Sequence, residues 1–237
     1  MDAAEYELMD QAENRMWWYR ALHARLIQAL KPAQGRVLDA GCGTGGLLAR
    51  LRAARPDLAL HGLEWSAAAA ARASVKSGAV VARGSVNALP FADQCFDAAV
   101  SADVLCHAAV TPGPALAELR RVLRPGGLLV LNMPAYQWLL SAHDRRVHNA
   151  RRVSARQLRA LLTKAGFECV HAHYWNGLLL PLMVAQRKLR ARTATAASDV
   201  APFPPWLDAT LHAVTVIERP FRLPAGGSVL ATARTPR

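Results

Sequence analysis

Apolar positions along this chain switch between two periods. Over residues 5–30, Met16, Tyr19, Leu22, Leu26 and Ala29 recur at spacings of three and four, which is the stripe of an amphipathic helix, and Pro32 ends it. Trp17 and Trp18 cannot both lie on that stripe, so at least one aromatic is left for another surface or a ligand. From Arg36 onward short apolar runs alternate with helical stretches. Strands are predicted over 37–40, 58–63, 79–82, 97–102, 128–133 and 167–174, and a last one over 226–233. Between them lie a helix over 47–54, one from the N-cap Ser66 to Gly78, one over 114–123 that Pro125-Gly126-Gly127 stops, and one from a capping box at Ser154 and Gln157 to Gly166. Repeated strand and helix units imply a parallel sheet with helices on both faces and a ligand at the carboxyl ends of the strands.

Composition narrows the classes. The chain has 237 residues, 52% of them hydrophobic, enough for one sizeable α/β domain and too apolar for disorder. Its start, Met1-Asp2-Ala3-Ala4-Glu5, lacks the basic and apolar segments of a secretory signal, and no apolar run approaches a bilayer span, so a cytoplasmic protein is expected. Cys42, Cys95, Cys106 and Cys169 form no C-x-x-C pair and read as reduced thiols. The net charge of +12 would suit a nucleic-acid partner. Lysine stands only at Lys31, Lys76, Lys164 and Lys188, so arginine supplies 25 of 29 basic residues in an alanine-rich chain. That is the mark of a GC-biased genome, and with no basic stripe interleaved with aromatics, no nucleic-acid partner is expected.

The chemistry concentrates after the first strand, at Asp39-Ala40-Gly41-Cys42-Gly43-Thr44-Gly45-Gly46. Glycines there let the backbone turn tightly and approach a ligand, and the following helix offers free N–H groups. Gly41, Gly43 and Gly46 also satisfy the spacing of a dinucleotide fingerprint. Asp39 argues against a dinucleotide, because a carboxylate beside a pyrophosphate is repulsive whereas a cationic ligand is favoured. Val37-Leu38-Asp39-Ala40-Gly41-Cys42-Gly43-Thr44-Gly45 resembles the first motif of class I S-adenosyl-L-methionine (SAM)-dependent methyltransferases. Phe96-Asp97-Ala98-Ala99-Val100-Ser101-Ala102-Asp103 and Leu119-Arg120-Arg121-Val122-Leu123-Arg124-Pro125-Gly126-Gly127 are similar to two later motifs of that superfamily. The resemblance covers about residues 36–134, and the charged stretch after it looks like a segment of the type 11/12-like subgroup, whose members share a tryptophan-rich amino-terminal helix.

That resemblance implies a doubly wound, mostly parallel seven-stranded Rossmann-like sheet, its last strand antiparallel beside the sixth. SAM is the expected cofactor, at Asp39, Gly41, Cys42, Gly43, Gly45, Glu64, Ser85, Val86 and Ser101. Glu64 ends the second strand, where a carboxylate can accept ribose hydroxyls. Ser85 stands where the family commonly has an acidic residue for the adenine, a departure that weakens one contact and leaves the Val86 N–H as an alternative.

Methyl transfer needs an aligned nucleophile and, for many acceptors, a base. Ser141-Ala142-His143-Asp144-Arg145-Arg146-Val147-His148-Asn149-Ala150-Arg151-Arg152 follows the fifth strand. His143 or His148 would take the proton with Asp144 orienting the ring, His107 standing in reserve, while Arg145 and Arg152 hold an anionic acceptor. The same segment also reads as a solvated loop whose charges pair with one another. One carboxylate is thin for a metal site, so none is expected. Trp17, Trp18, Tyr19 and Trp175 are candidates for the acceptor wall.

Four segments result: an amino-terminal helical cap over 1–35, a SAM-binding core over 36–175, an apolar helical insert over 176–225, and the final strand over 226–237. The insert contains Gly177-Leu178-Leu179-Leu180-Pro181-Leu182-Met183-Val184-Ala185, a basic run from Arg187 to Arg192, and an apolar stretch after Pro202-Phe203-Pro204-Pro205-Trp206. It reads as a lid, a dimer contact or an interfacial helix. The expected function is methyl transfer to a small-molecule acceptor by a monomer or homodimer, with peripheral membrane contact open. The rivals are a methyltransferase for lipid or polyprenyl substrates at a membrane surface and a non-catalytic SAM-binding partner protein.

Overall fold

The computed structural model describes residues 3–190 and 203–237. Its centre is β1 (Arg36–Ala40), whose Val37, Leu38, Asp39 and Ala40 are all buried because both faces of the sheet are covered. β2 (Ala59–Glu64) and β3 (Val80–Arg83) extend the sheet on one side and β4 (Phe96–Ala102) and β5 (Leu123–Pro134) on the other, all parallel. β7 (Ser228–Arg234) inserts antiparallel between β5 and β6 (Glu168–Trp175), giving the order β3-β2-β1-β4-β5-β7-β6. The order reverses at β1, so the carboxyl ends of β1 and β4 open a crevice.

Alternation along the strands feeds two cores. Leu38, Leu63, Ala99, Leu129 and Leu131 pack with α5 (Pro112–Val122) and α7 (Ala155–Lys164), while Val37, Leu60, Val100 and Val130 face the other way, against α2 (Trp17–Ala29), α3 (Gly46–Ala54) and α4 (Ala67–Ser77). The caps read from sequence are present. The Ser66 hydroxyl accepts from the Ala69 N–H at 3.4 Å, Gly78 closes α4 at φ 64°, and Ser154 and Gln157 cap α7 reciprocally.

Two elements differ from expectation. The helix predicted over 5–30 is broken into α1 (Ala3–Ala12) and α2, with Met16 extended. Tertiary bonds outbid helix continuity there: Glu13 reaches the N-terminus of α3, and the Trp17 N–H donates at 2.6 Å to Asp208 of α9 (Pro205–Ile217). β5 starts at Leu123 rather than 128, because a register shift opposite Phe96 and Ala98 absorbs Pro125-Gly126-Gly127 into the strand. Beyond β6, α8 (Leu180–Arg190) and α9 lie in the predicted insert, whose Arg192 and Pro202 fall outside the described residues. No helix among the described residues is long and apolar enough to cross a membrane.

Two glycines separate backbone strain from crowding. A Cβ on Gly78 would meet nothing within 4 Å, whereas one on Gly45, at φ 89°, would lie 2.7 Å from the Ala73 Cα. Gly78→Ala should therefore cost about 1–2 kcal/mol, and Gly45→Ala a further 1–3 kcal/mol or so as α3 is pushed off α4. Urea unfolding of the two variants checks the difference; equal costs would show that α4 yields freely.

Candidate active site

The turn after β1 is cradled by β2. The Gly41 and Cys42 N–H groups donate to the Leu63 carbonyl at 2.8 and 2.9 Å, and the Gly43 N–H donates to Glu64 Oε2 at 3.0 Å. Gly41 has φ 94° and its missing Cβ would come within 2.3 Å of Val104 Cγ2, so the turn has no room for a side chain there. The other Glu64 oxygen accepts from the Ser66 N–H at 2.9 Å and from the Tyr6 hydroxyl at 2.7 Å.

Carboxylates crowd this end. Asp39 is buried, and burial, then Glu64 and Glu13, push its carboxyl up to about 8. Burial likewise raises the Glu13 carboxyl, although its ion pair with Lys76 pulls it back, and burial raises the Cys42 thiol. Glu13 Oε2 accepts from the Gly46 N–H at 3.1 Å, so an internal anion already sits at the helix N-terminus where a phosphate would bind. A pyrophosphate is thereby disfavoured. The donor set instead fits SAM, which carries positive charge for the carboxylates and ribose hydroxyls for Glu64.

Tyr6, Met9 and Glu13 were not singled out from the sequence. They lie one helical turn apart and close over the glycine turn, a spacing that could have marked them. α1 is held from its other side by Arg72 with Glu7, and by Lys76 with Asp10.

One cleft of about 1270 Å³ runs outward from the turn. Asp39, Gly41, Cys42, Gly43, Glu64, Ser85 and Val86 line its inner end. His107, His143, His148 and Arg145 line the outer part together with Trp17, Trp18 and Tyr19. Three candidates stand outside it. Ser101 donates to the Ala40 carbonyl at 2.7 Å and ties β4 to β1. Gly45 packs on α4, and Trp175 stacks on Trp18 while its indole N–H donates to Asn132 Oδ1 at 2.8 Å.

The charged segment after β5 is ordered by one buried pair. Arg152 grips Asp144 with Nη2 at 2.8 and 2.9 Å and donates to the Ala135 carbonyl, while Asp144 also forms a capping box with Ser141 at the start of α6 (Ala142–Arg146). Burial alone would raise the Asp144 carboxyl, yet Arg152 and Ser141 hold it below its usual range. Asp144 is thus committed to Arg152, and His143 Nδ1 is buried with no hydrogen-bond partner. His107 is kept neutral to lower pH by burial. Asp103, on the cleft wall at the end of β4, was also not singled out; burial lifts its carboxyl to about 7 while the Asn132 amide donates to it at 2.9 Å. Among the described residues no group of three or more His, Cys, Asp or Glu could hold a metal ion.

The strand order, the glycine turn and the acid at the end of β2 together define a class I SAM-binding fold. Residues 38–131, about two fifths of the chain, match the model of the family described as Methyltransferase domain, and the chain has the α/β Rossmann-like fold of class I SAM-dependent methyltransferases. It is 34% identical over 154 residues to an O-methyltransferase of Penicillium expansum (60% of this chain, 55% of that one). It is also 34% identical over 129 residues to a 24-methylenesterol C-methyltransferase of Oryza sativa subsp. japonica (50% and 32%). The chain thus spans about a third to about half the length of these curated relatives. A Haloferax volcanii methyltransferase solved in complex with the Trm112 methyltransferase activator superposes with a TM-score of 0.65 at 21% identity, covering 99% of this chain and 95% of its own. A geranyl diphosphate methyltransferase solved with GPP and sinefungin gives 0.62 at 17%, covering 91% and 77%.

The raised carboxyl of Asp39 has a sign. Because folding lifts it above the ordinary value, the penalty it places on the fold grows as pH rises from about 4 and is complete above about 8. A cation beside it favours the ionised form, so SAM binding at pH 7 should expel about one proton more from the wild type than from Asp39→Asn. Calorimetry in buffers of different ionisation enthalpy counts those protons; equal counts would show Asp39 already ionised without ligand.

Proposed function

We propose that this chain transfers a methyl group from SAM to a small-molecule acceptor held in the outer part of the cleft, with His143 as the proton acceptor. The observation that carries this reading is continuity: one cleft joins the acid-lined glycine turn to the imidazoles of His107, His143 and His148. The cofactor supplies an electrophilic methyl group on a sulfonium, which leaves the chain the work of alignment, water exclusion and proton removal. Asp39 would face the cationic part and Glu64 the ribose hydroxyls, Tyr6 giving way to them; Ser85 and Val86 would border the adenine.

Trp17, Trp18 and Leu22 of α2, with Met183 and Phe203 of the insert, make the acceptor wall largely apolar. The insert and α2 serve as a lid over a dry site, and Arg145 and Arg187 on the same wall would take an acidic group of the acceptor. Asp144 positions rather than polarises: through Arg152 it fixes α6 and with it the ring of His143. Neighbours and relatives named for geranyl diphosphate, phosphoethanolamine and sterols support small molecules as the acceptor class.

Three variants test the reading. Gly43→Val should abolish SAM binding, since Gly43 lies at φ 55°, where a β-branched residue is strained, so the turn that approaches the ligand could not keep its shape. Glu64→Ala should weaken it by about 1.5–3 kcal/mol. With phenol, amine and carboxylate acceptors screened by release of S-adenosylhomocysteine, His143→Ala should lower turnover roughly 10² to 10⁴-fold and leave SAM affinity nearly unchanged. Unchanged turnover at saturating acceptor would remove His143 from the mechanism.

A further inference from the structure

We propose that the outer face of α9, with the start of α8, docks this protein on an anionic lipid bilayer surface. The docking does not depend on which acceptor is methylated. α9 is apolar on two sides. Leu211 and Thr215 face inward, Leu211 packing with Trp17 and Leu179, whereas Trp206, Ala209, Ala213, Val216 and Ile217 lie along the outer side. Trp206 is 71% exposed and Ile217 62%, and Phe221 just beyond the helix is 62% exposed. A soluble surface seldom shows such a stripe without a use for it.

The stripe is continuous with α8. Glu218 accepts from the N–H groups of Asn176, Gly177 and Leu178 at 2.5, 2.9 and 3.2 Å, which fixes exposed Leu178 beside the end of α9, with exposed Leu182 one turn further on. Trp206 and Ile217 stand about 16 Å apart along the axis, so the patch is a broad face rather than a point.

Charge selects the occupant. The two acids of the segment are turned inward: Asp208 pairs with Arg20 at 2.5 Å and buried Glu218 with Arg25 at 2.8 Å. Arg219 and Arg222 are exposed next to Ile217 and Phe221. A second copy of the chain would bring the same arginines to the contact with no acid of this segment to meet them, whereas anionic headgroups supply that charge all over the rim. A tryptophan at one end and arginines at the other suit the boundary between acyl chains and headgroups.

The test is flotation of the full chain with large unilamellar vesicles, either phosphatidylcholine mixed with phosphatidylglycerol or phosphatidylcholine alone. The protein should float with the mixed vesicles and much less with phosphatidylcholine alone. Trp206→Ser combined with Phe221→Ser should lower the partition coefficient about tenfold or more, and Arg219→Gln with Arg222→Gln should remove most of the preference for anionic lipid. SAM affinity, which involves none of these residues, should stay at the wild-type value in both and reports that they are folded. No flotation with mixed vesicles, or flotation that neither double variant lowers, overturns the proposal. So does a concentration-dependent dimer in light scattering that the aromatic double variant abolishes while vesicles capture no protein, which would assign the face to a second copy.

Discussion

Hydrogen bonds from three parts of the chain converge on the Glu64 carboxylate, and the shape of the cofactor end follows from them. The Gly43 N–H holds the turn, the Ser66 N–H ties the start of α4 to β2, and the Tyr6 hydroxyl draws α1 down over the crevice. A carboxylate held by that many donors stays where the strand end puts it. The arrangement crowds negative charge, since Asp39 and Glu13 stand close by and Lys76, which pairs with Glu13, is shared with Asp10. The crowding makes the site selective for positive charge, because a ligand that carries it relieves repulsion that an uncharged one of the same shape would leave in place.

How far the residues could be read in advance depended on whether their partners lie close in sequence. Ser66, Ser154 with Gln157, and Gly78 act on backbone within four residues of themselves, so their roles are local and legible. Strand alternation is likewise a short-range pattern, and the order of the sheet came from the motif resemblance. The break between α1 and α2 was not legible, because Glu13 and Trp17 are drawn to partners 33 and 191 residues away. The segment after β5 misled differently. Asp144 next to His143 reads as a base with its orienting acid, yet folding brings Arg152 onto Asp144 from eight positions on and buries both, which the sequence shows only as one more charge in a charged run.

The wall of the cleft depends on a second buried carboxylate, well away from the chemistry. Glu218 gathers three successive backbone N–H groups at the start of the insert and pairs with Arg25 of α2, whose guanidinium also lies 4.6 Å over the Trp175 ring. Burial lowers the Arg25 guanidinium to about 10 and the facing carboxylate offsets part of that. α2, β6, α8 and α9 are thereby joined through one ion pair. Removing either partner leaves the other charged and buried, a cost of about 3–5 kcal/mol, and would loosen the wall without touching a residue that lines it.

The place of β7 bears on the order in which the molecule can be assembled. Among the described residues β6 has no hydrogen-bonded strand neighbour except β7, and β5 meets β6 only through it. During synthesis the strands from β1 to β5 can pair as they emerge, while β6 and the insert must wait with an open edge until residues 228–234 have left the ribosome. The aromatic junction at Trp175 and the footing of α8 and α9 are therefore completed last. A ribosome that stalls within the insert would hold a sheet able to present its glycine turn but bearing an unpaired β5 edge, which makes the apolar strand Leu128 to Met133 the point at which such a nascent chain is most exposed to aggregation.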